Sequence, residues 1–370
     1  MKSNQLYQRV SVFRCWSIIL AVSAVVMAAA ACTPAPPEHN AQQAGTDPTG
    51  PTPRWFGGYL DVTLGPSLGL LDQPPGGTVT TVLSFIGADP DMPCQPSWDG
   101  FYDLEQAGAK LDLDKQLKTF RDAGNDVAIS FGGQLATELA AACTDGDALV
   151  SAYAAVITKY GLDILDFDIE GEGLADHPAA KRRAAAIARL QAARPPDTPL
   201  KVWLTLPVST DGLTSEGKAS VSIMLEAGVE LAGVNIMIMN FGPLAPGQTM
   251  LAAGISAAEA THRKLTALFE KVGQPLDAAA LWNRIGITPM IGTNDVKGQV
   301  FTLADAKGLN SFALARGVGR ISMWSLNRDT GCNSSSREQR ENGVANNCSG
   351  VPQEPGMFAK VLGSSYVNGR

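Results

Sequence analysis

Histidine is scarce in this chain of 370 residues: there are three, His39, His177 and His262, and none neighbours another histidine or a cysteine. That scarcity weighs against His-rich zinc sites and Ser-His-Asp triads, and it leaves any acid–base chemistry to carboxylates. Positive charge is also short, with Lys+Arg 29 against Asp+Glu 36 and a formal net charge of −7. A nucleic-acid partner would need clustered Lys and Arg to meet phosphates, so uncharged substrates fit better. No two cysteines have Cys-x-x-Cys spacing, which disfavours a four-cysteine zinc site. No Gly-x-Gly-x-x-Gly turn follows the first expected strand, as an open dinucleotide-binding sheet would usually show. No internal repeat is visible, and a long apolar run occurs once, over 16–31.

What is present begins with that run. Lys2, Arg9 and Arg14 precede it, no acidic residue falls within 1–31, and it ends in Ala29, Ala30 and Ala31 before Cys32. The run is shorter than the ~20 residues of a comfortable bilayer span and has the layout of an export signal. Ala-Ala-Ala-Cys ahead of a Pro-rich stretch resembles a bacterial lipobox. The expectation is a signal over 1–31 with lipidation at Cys32 and a cell-surface lipoprotein, ordinary secretion being the alternative. Loss of the three cationic residues would take the charge to about −10. Residues 32–53, with Pro34, Pro36, Pro37, Pro48, Pro51 and Pro53, read as a linker. Residues 54–370 then form one domain, a little longer than the ~250 residues of a (β/α)8 barrel.

Four cysteines remain in that domain, an even number suited to an oxidising compartment. Cys94 is expected to pair with Cys143 and Cys332 with Cys348, since each pair lies in polar, turn-rich sequence at neighbouring strand ends. Chain-entropy arguments give about 4 and about 3 kcal/mol for these loops. Eight short apolar or β-branched runs predict strands over 56–63, 78–85, 126–131, 164–169, 201–207, 233–239, 284–289 and 319–325. Helical patterns separate them, notably 147–160, with Leu149, Tyr153, Val156, Ile157 and Tyr160 on one face, and 255–272. Strand–helix alternation implies a parallel sheet, and eight units imply closure into a TIM barrel. Leu64 to Gly77, rich in Pro and Gly, predicts a reduced first crossover.

The fourth run alternates acid with bulky apolar side chains: Asp163, Ile164, Leu165, Asp166, Phe167, Asp168, Ile169, Glu170. Residues two apart on a strand share a face, so Asp166, Asp168 and Glu170 form a column facing the barrel interior, while Leu165, Phe167 and Ile169 face the helices. Three acids inside a barrel are costly unless they share protons and hydrogen bonds, so function is the better explanation. Glu170, at the carboxyl end where barrel sites are built, is the candidate general acid.

The pattern Asp163-x-x-Asp166-x-Asp168-x-Glu170 resembles the signature of glycoside hydrolase family 18, the chitinases and their relatives. Ser130-Phe131-Gly132-Gly133 is similar to the family's Ser-x-Gly-Gly motif, and Trp324 to its subsite-floor tryptophan. Met237-Ile238-Met239-Asn240-Phe241, Thr288-Pro289-Met290-Ile291-Gly292 and Trp324-Ser325-Leu326-Asn327-Arg328-Asp329 resemble segments of its bacterial chitinase branch. The resemblance implies substrate-assisted, retaining hydrolysis of β-1,4 bonds between N-acetylglucosamine units. Glu170 would protonate the glycosidic oxygen, Asp168 would hold the acetamido N–H, and Asp166 would share a proton with Asp168. Trp324, Met237, Met239, Asn240, Tyr59, Gly132 and Gly133 would contact the sugar, with Asp163 and Ser130 in support. Trp98 reads either as an outer sugar platform or as a loop anchor.

Two residues depart from the family pattern, because the sixth-strand acid is replaced by Asn240 and a common Tyr by Phe241. Asn240 could still hydrogen-bond an acetamido group, but it brings no negative charge. The other readings of this fold are a non-catalytic, lectin-like chitin binder and an enzyme acting on another N-acetylated glycan. The implied partners are chitin or N-acetylglucosamine oligosaccharides, with the membrane met only through an N-terminal lipid. No metal or organic cofactor is called for. About 30 residues separate the seventh and eighth strands, too few for the α+β insertion of some chitinases, so an open cleft suited to endo-cleavage is expected.

Overall fold

All eight runs become strands, and they close on themselves. The computed structural model describes residues 54–64, 80–332 and 344–366. The barrel strands are β1 (Trp55–Asp61), β2 (Thr80–Ala88), β3 (Asp126–Gly132), β4 (Ile164–Asp168), β5 (Lys201–Ser209), β6 (Leu231–Met237), β7 (Ile285–Thr288) and β8 (Arg320–Met323). Each pairs in parallel with its neighbours in chain order, and β8 returns to β1. This is the (β/α)8 barrel.

Local chemistry sets the outer helices. Asp145 caps Gly146–Tyr160 by accepting from the Ala148 N–H, and Gly161, with φ 57°, ends it in the left-handed conformation. The helix expected over 255–272 begins earlier, as Met250–Lys271, because Thr249 caps it and Met250 and Ala253 extend its buried stripe. β2 runs on to Ala88 because Ile86 to Ala88 pair antiparallel with a short strand, Pro96–Trp98. Between β7 and β8 lie a two-stranded hairpin, Gly292–Thr293 with Val300–Phe301, and the helix Leu303–Arg316. No α+β module interrupts that stretch. The disulfides are Cys94–Cys143 and Cys332–Cys348, as the sequence predicts.

The larger core lies between strands and helices, and Leu165, Phe167 and Ile169 are buried in it as the alternation of β4 requires. A smaller cluster fills the barrel interior, where Trp55, Tyr59, Val82, Phe85, Ala128, Ile164 and Trp203 pack together. Trp55 and Trp203 meet edge to face at 5.9 Å. Gly233 of β6 permits this, since a Cβ there would stand 2.3 Å from the Trp203 ring. The export signal, Cys32, the linker, and the first crossover beyond Leu64 fall outside the described residues.

Candidate active site

Above the aromatic layer, Asp166 sits at 0% exposure and accepts four hydrogen bonds. Tyr59 Oη (2.9 Å) and Ser130 Oγ (2.7 Å) donate to its Oδ2; Thr205 Oγ1 (2.7 Å) and Arg320 Nη1 (2.6 Å) donate to its Oδ1. Arg320 is itself 0% exposed; it also donates to Tyr59 Oη and Ser322 Oγ, and its guanidinium lies 4.7 Å from the centre of the Trp55 ring. Asn235 ties Tyr59 and Thr205 to Thr288, completing a buried polar layer. Every such group finds a partner, as burial demands. Both Asp166 oxygens accept from donors other than Asp168, and Arg320 is the ion-pair partner of Asp166.

Asp168, one step up the column, is buried, and its Oδ1 has no hydrogen-bond partner. Burial, then repulsion from Glu170 and Asp166, pushes its carboxyl well above the usual range, with Arg320 opposing. Glu170 follows the strand in extended conformation, at the N-cap of the turn Gly171–Leu174. Burial, reinforced by the Asp295 carboxylate, raises it to about 7. Both acids line a cavity of 410 Å³ at the carboxyl ends of the strands. Trp324 lies on the same wall, stacked on Phe85 at 5.5 Å and tilted over Tyr59 at 6.2 Å.

Glu170 also shapes stability. The folded state holds its proton up to about pH 7, whereas an unfolded glutamate releases it near pH 4.3, so stability present at low pH is lost as pH rises through 7. Glu170→Gln is therefore expected to raise the melting temperature above pH 7 and to leave it unchanged near pH 4. Calorimetric melting at both pH values checks this, and an equal gain at both would refute it.

The structure brings Tyr59, Asp166, Asp168, Glu170, Ser130 and Trp324 together, with Met237, Met239 and Asn240 on the cavity wall. Others stand elsewhere. Asp163 is at the far end of β4, exposed and ion-paired with Arg194; its odd offset from Asp166 turns it off the column. Gly132 and Gly133 have φ of 97° and 79°, and their Cβ positions are taken by the Asp168 carbonyl and the Phe85 ring. The Gly133 N–H donates to the Asp168 carbonyl, so this pair shapes the site from behind and does not line the cavity. Phe241 is buried in the outer core. Trp98 is 0% exposed, its indole donating to Tyr160 Oη, and is a loop anchor; Phe101, at 70% exposure, occupies the cavity rim instead.

Sequence reasoning missed Arg320, Thr205, Asn235 and Asp295. Strand alternation counted back from Trp324 through Ser322 would have placed Arg320 inside the barrel. Asp295 lies in a loop, where no periodicity signals it. Among the described residues no group of three or more His, Cys, Asp or Glu could hold a metal ion.

Fold and site together define an acid-column (β/α)8 barrel of the glycoside hydrolase class. No protein-family model matches the chain. A probable bifunctional chitinase/lysozyme of Escherichia coli (strain K12) is 34% identical over 282 residues, covering 73% of this chain and 30% of that protein. Endochitinase 11 of Metarhizium anisopliae is 33% identical over 282 residues, covering 73% and 52%. The chain thus spans between about a third and a half of the curated relatives' length. Active domain 2 of the thermostable Pyrococcus furiosus chitinase, solved as catalytic site mutants complexed with chito-oligosaccharides, superposes with a TM-score of 0.70 at 27% identity, over 84% of this chain and 94% of that one. The chain belongs to glycoside hydrolase family 18.

Proposed function

We propose that this protein is a chitinase that cleaves β-1,4 bonds between N-acetylglucosamine units with retention, using the substrate's acetamido group as nucleophile. The observation that carries the reading is the unpartnered, buried Oδ1 of Asp168 in the cavity beside Glu170. A buried acceptor without a donor is costly, and an acetamido N–H supplies the donor. Held there, the acetamido oxygen attacks C1 while Glu170 gives its proton to the departing glycosidic oxygen. Water then attacks C1, Glu170 takes back a proton, and the oxazolinium ring opens. Asp166, anchored by four donors, holds the column in register, and Trp324 offers its face to the sugar.

The basic and small-residue character of 1–31 supports an exported protein, carried by lipid at Cys32 or secreted. The test of the activity is mass spectrometry of products from N-acetylglucosamine pentamer and hexamer. Shorter oligomers are expected. Binding without cleavage would make the protein a lectin-like chitin binder, and neither would point to another N-acetylated glycan.

A further inference from the structure

Asn240 stands where much of the family carries an acid, and the structure shows what its amide does. Asn240 Nδ2 donates to Asp295 Oδ2 at 2.8 Å, and the Asp295 backbone N–H donates to Asn240 Oδ1 at 2.8 Å. Nδ2 also meets the Met290 sulfur at 3.9 Å. The amide is committed at both ends to the loop after β7, so it is not free to orient an acetamido group.

That loop is laced to the β6 loop by further side chains. Asn240 has φ 49°, a left-handed conformation that Asn tolerates better than most residues. Its N–H donates to Asn294 Oδ1, Asn294 Nδ2 donates to the carbonyls of Met290 and Gly292, and Gln299 Nε2 donates to those of Phe241 and Gly242. The result is a carboxylate, Asp295, held on the same cavity wall as Asn240 and facing the space that Glu170 and Asp168 share.

We propose that Asn240 and Asp295 act as one unit in which Asp295 is a positioning residue: its carboxylate supplies, from the β7 loop, the negative charge that the β6 position lacks, keeping the proton on Glu170 before bond cleavage and steadying the positive charge that follows. This rests on the hydrolase reading above. The other groups facing the cavity are Asp168 of β4, Tyr59 and Asp61 of β1, and Asp99 beyond β2, with Asp166 and Arg320 in the layer below. Among the described residues no Lys, Arg or His lines the cavity to offset Asp295. After burial, Asp295 is the influence that raises Glu170.

The experiment is the pH profile of kcat/KM on N-acetylglucosamine pentamer for wild type, Asp295→Asn, Asn240→Asp and the double variant. Asp295→Asn keeps an oxygen to accept from Asn240 Nδ2, so the pairing survives while the charge goes. Its basic limb, set by Glu170, should move down by about one pH unit, with kcat near neutrality falling about fivefold to tenfold and KM changing less than about twofold. Asn240→Asp alone sets two carboxylates against each other. The double variant restores a donor–acceptor pair with the charge one side chain away, and should return the limb toward wild type.

An NMR titration of the isotopically labelled Glu170 carboxyl, identified by its loss in Glu170→Gln, should show the same downward shift in Asp295→Asn without relying on turnover. An unmoved limb and an unmoved titration in Asp295→Asn would overturn the proposal, even if KM or melting temperature changed. With an active wild type, that outcome leaves the hydrolase reading standing. An inactive wild type would remove that reading and this proposal with it.

Discussion

Glu170→Gln is expected to lower turnover of N-acetylglucosamine hexamer by about 10²–10⁴-fold while leaving binding nearly intact. A glutamine matches the shape of the glutamic acid and can still donate a hydrogen bond, but it cannot deliver a proton to a departing oxygen or take one from water. The wild-type side chain suits both steps because its carboxyl is raised to about 7, so near neutrality it exchanges protons in either direction at little cost. Initial rates combined with titration calorimetry separate the two effects. Retention of more than about a tenth of wild-type turnover would show that another group is the acid. On the wild-type enzyme, kcat/KM should fall as pH rises through about 7, since the working form of Glu170 is the protonated one.

Arg320→Met should be the most damaging single change to the fold. The arginine is 0% exposed, hydrogen-bonds Asp166, Tyr59 and Ser322, and packs against Trp55, Tyr59 and Trp203. Methionine refills some of the volume but leaves the Asp166 carboxylate buried with no opposite charge. Breaking one side of a buried pair in this way costs about 3–5 kcal/mol. Activity should fall as well, because Arg320 opposes the rise of the Asp168 carboxyl. Pairing Arg320→Met with Asp166→Asn should cost less than the two single changes together, since no charge is then stranded. Denaturant unfolding of the three variants measures this coupling, and a loss below about 1 kcal/mol for Arg320→Met alone would contradict it.

The column of acids was legible because a strand has a period of two, so Asp166 and Asp168 could be assigned to the interior from spacing alone. The same rule separates Asp163 from them, since it stands an odd number of residues away from Asp166 and pairs with Arg194 outside. Arg320 was equally accessible to that rule through Trp324 and Ser322, yet a lone arginine in a hydrophobic strand gives no sign of its partner 154 residues away. The pairing of the four domain cysteines could be read from local turn-rich sequence. Asp295 could not, because its place depends on hydrogen bonds between two loops and on the left-handed Asn240 that receives it. Trp98 and Phe101 show the same limit. Which of two neighbouring aromatics faces the cavity depends on the hairpin turn between them, where Asp99 and Gly100 both have positive φ.

Trp55, Trp203 and the Arg320 guanidinium pack together beneath Asp166, which is itself wholly buried, while Asp168 and Glu170 above it line the cavity. On the proposed function, a sugar lying in that cavity would cover the side on which both acids face it. Until product left, Glu170 and Asp168 would exchange protons chiefly with the substrate and the attacking water.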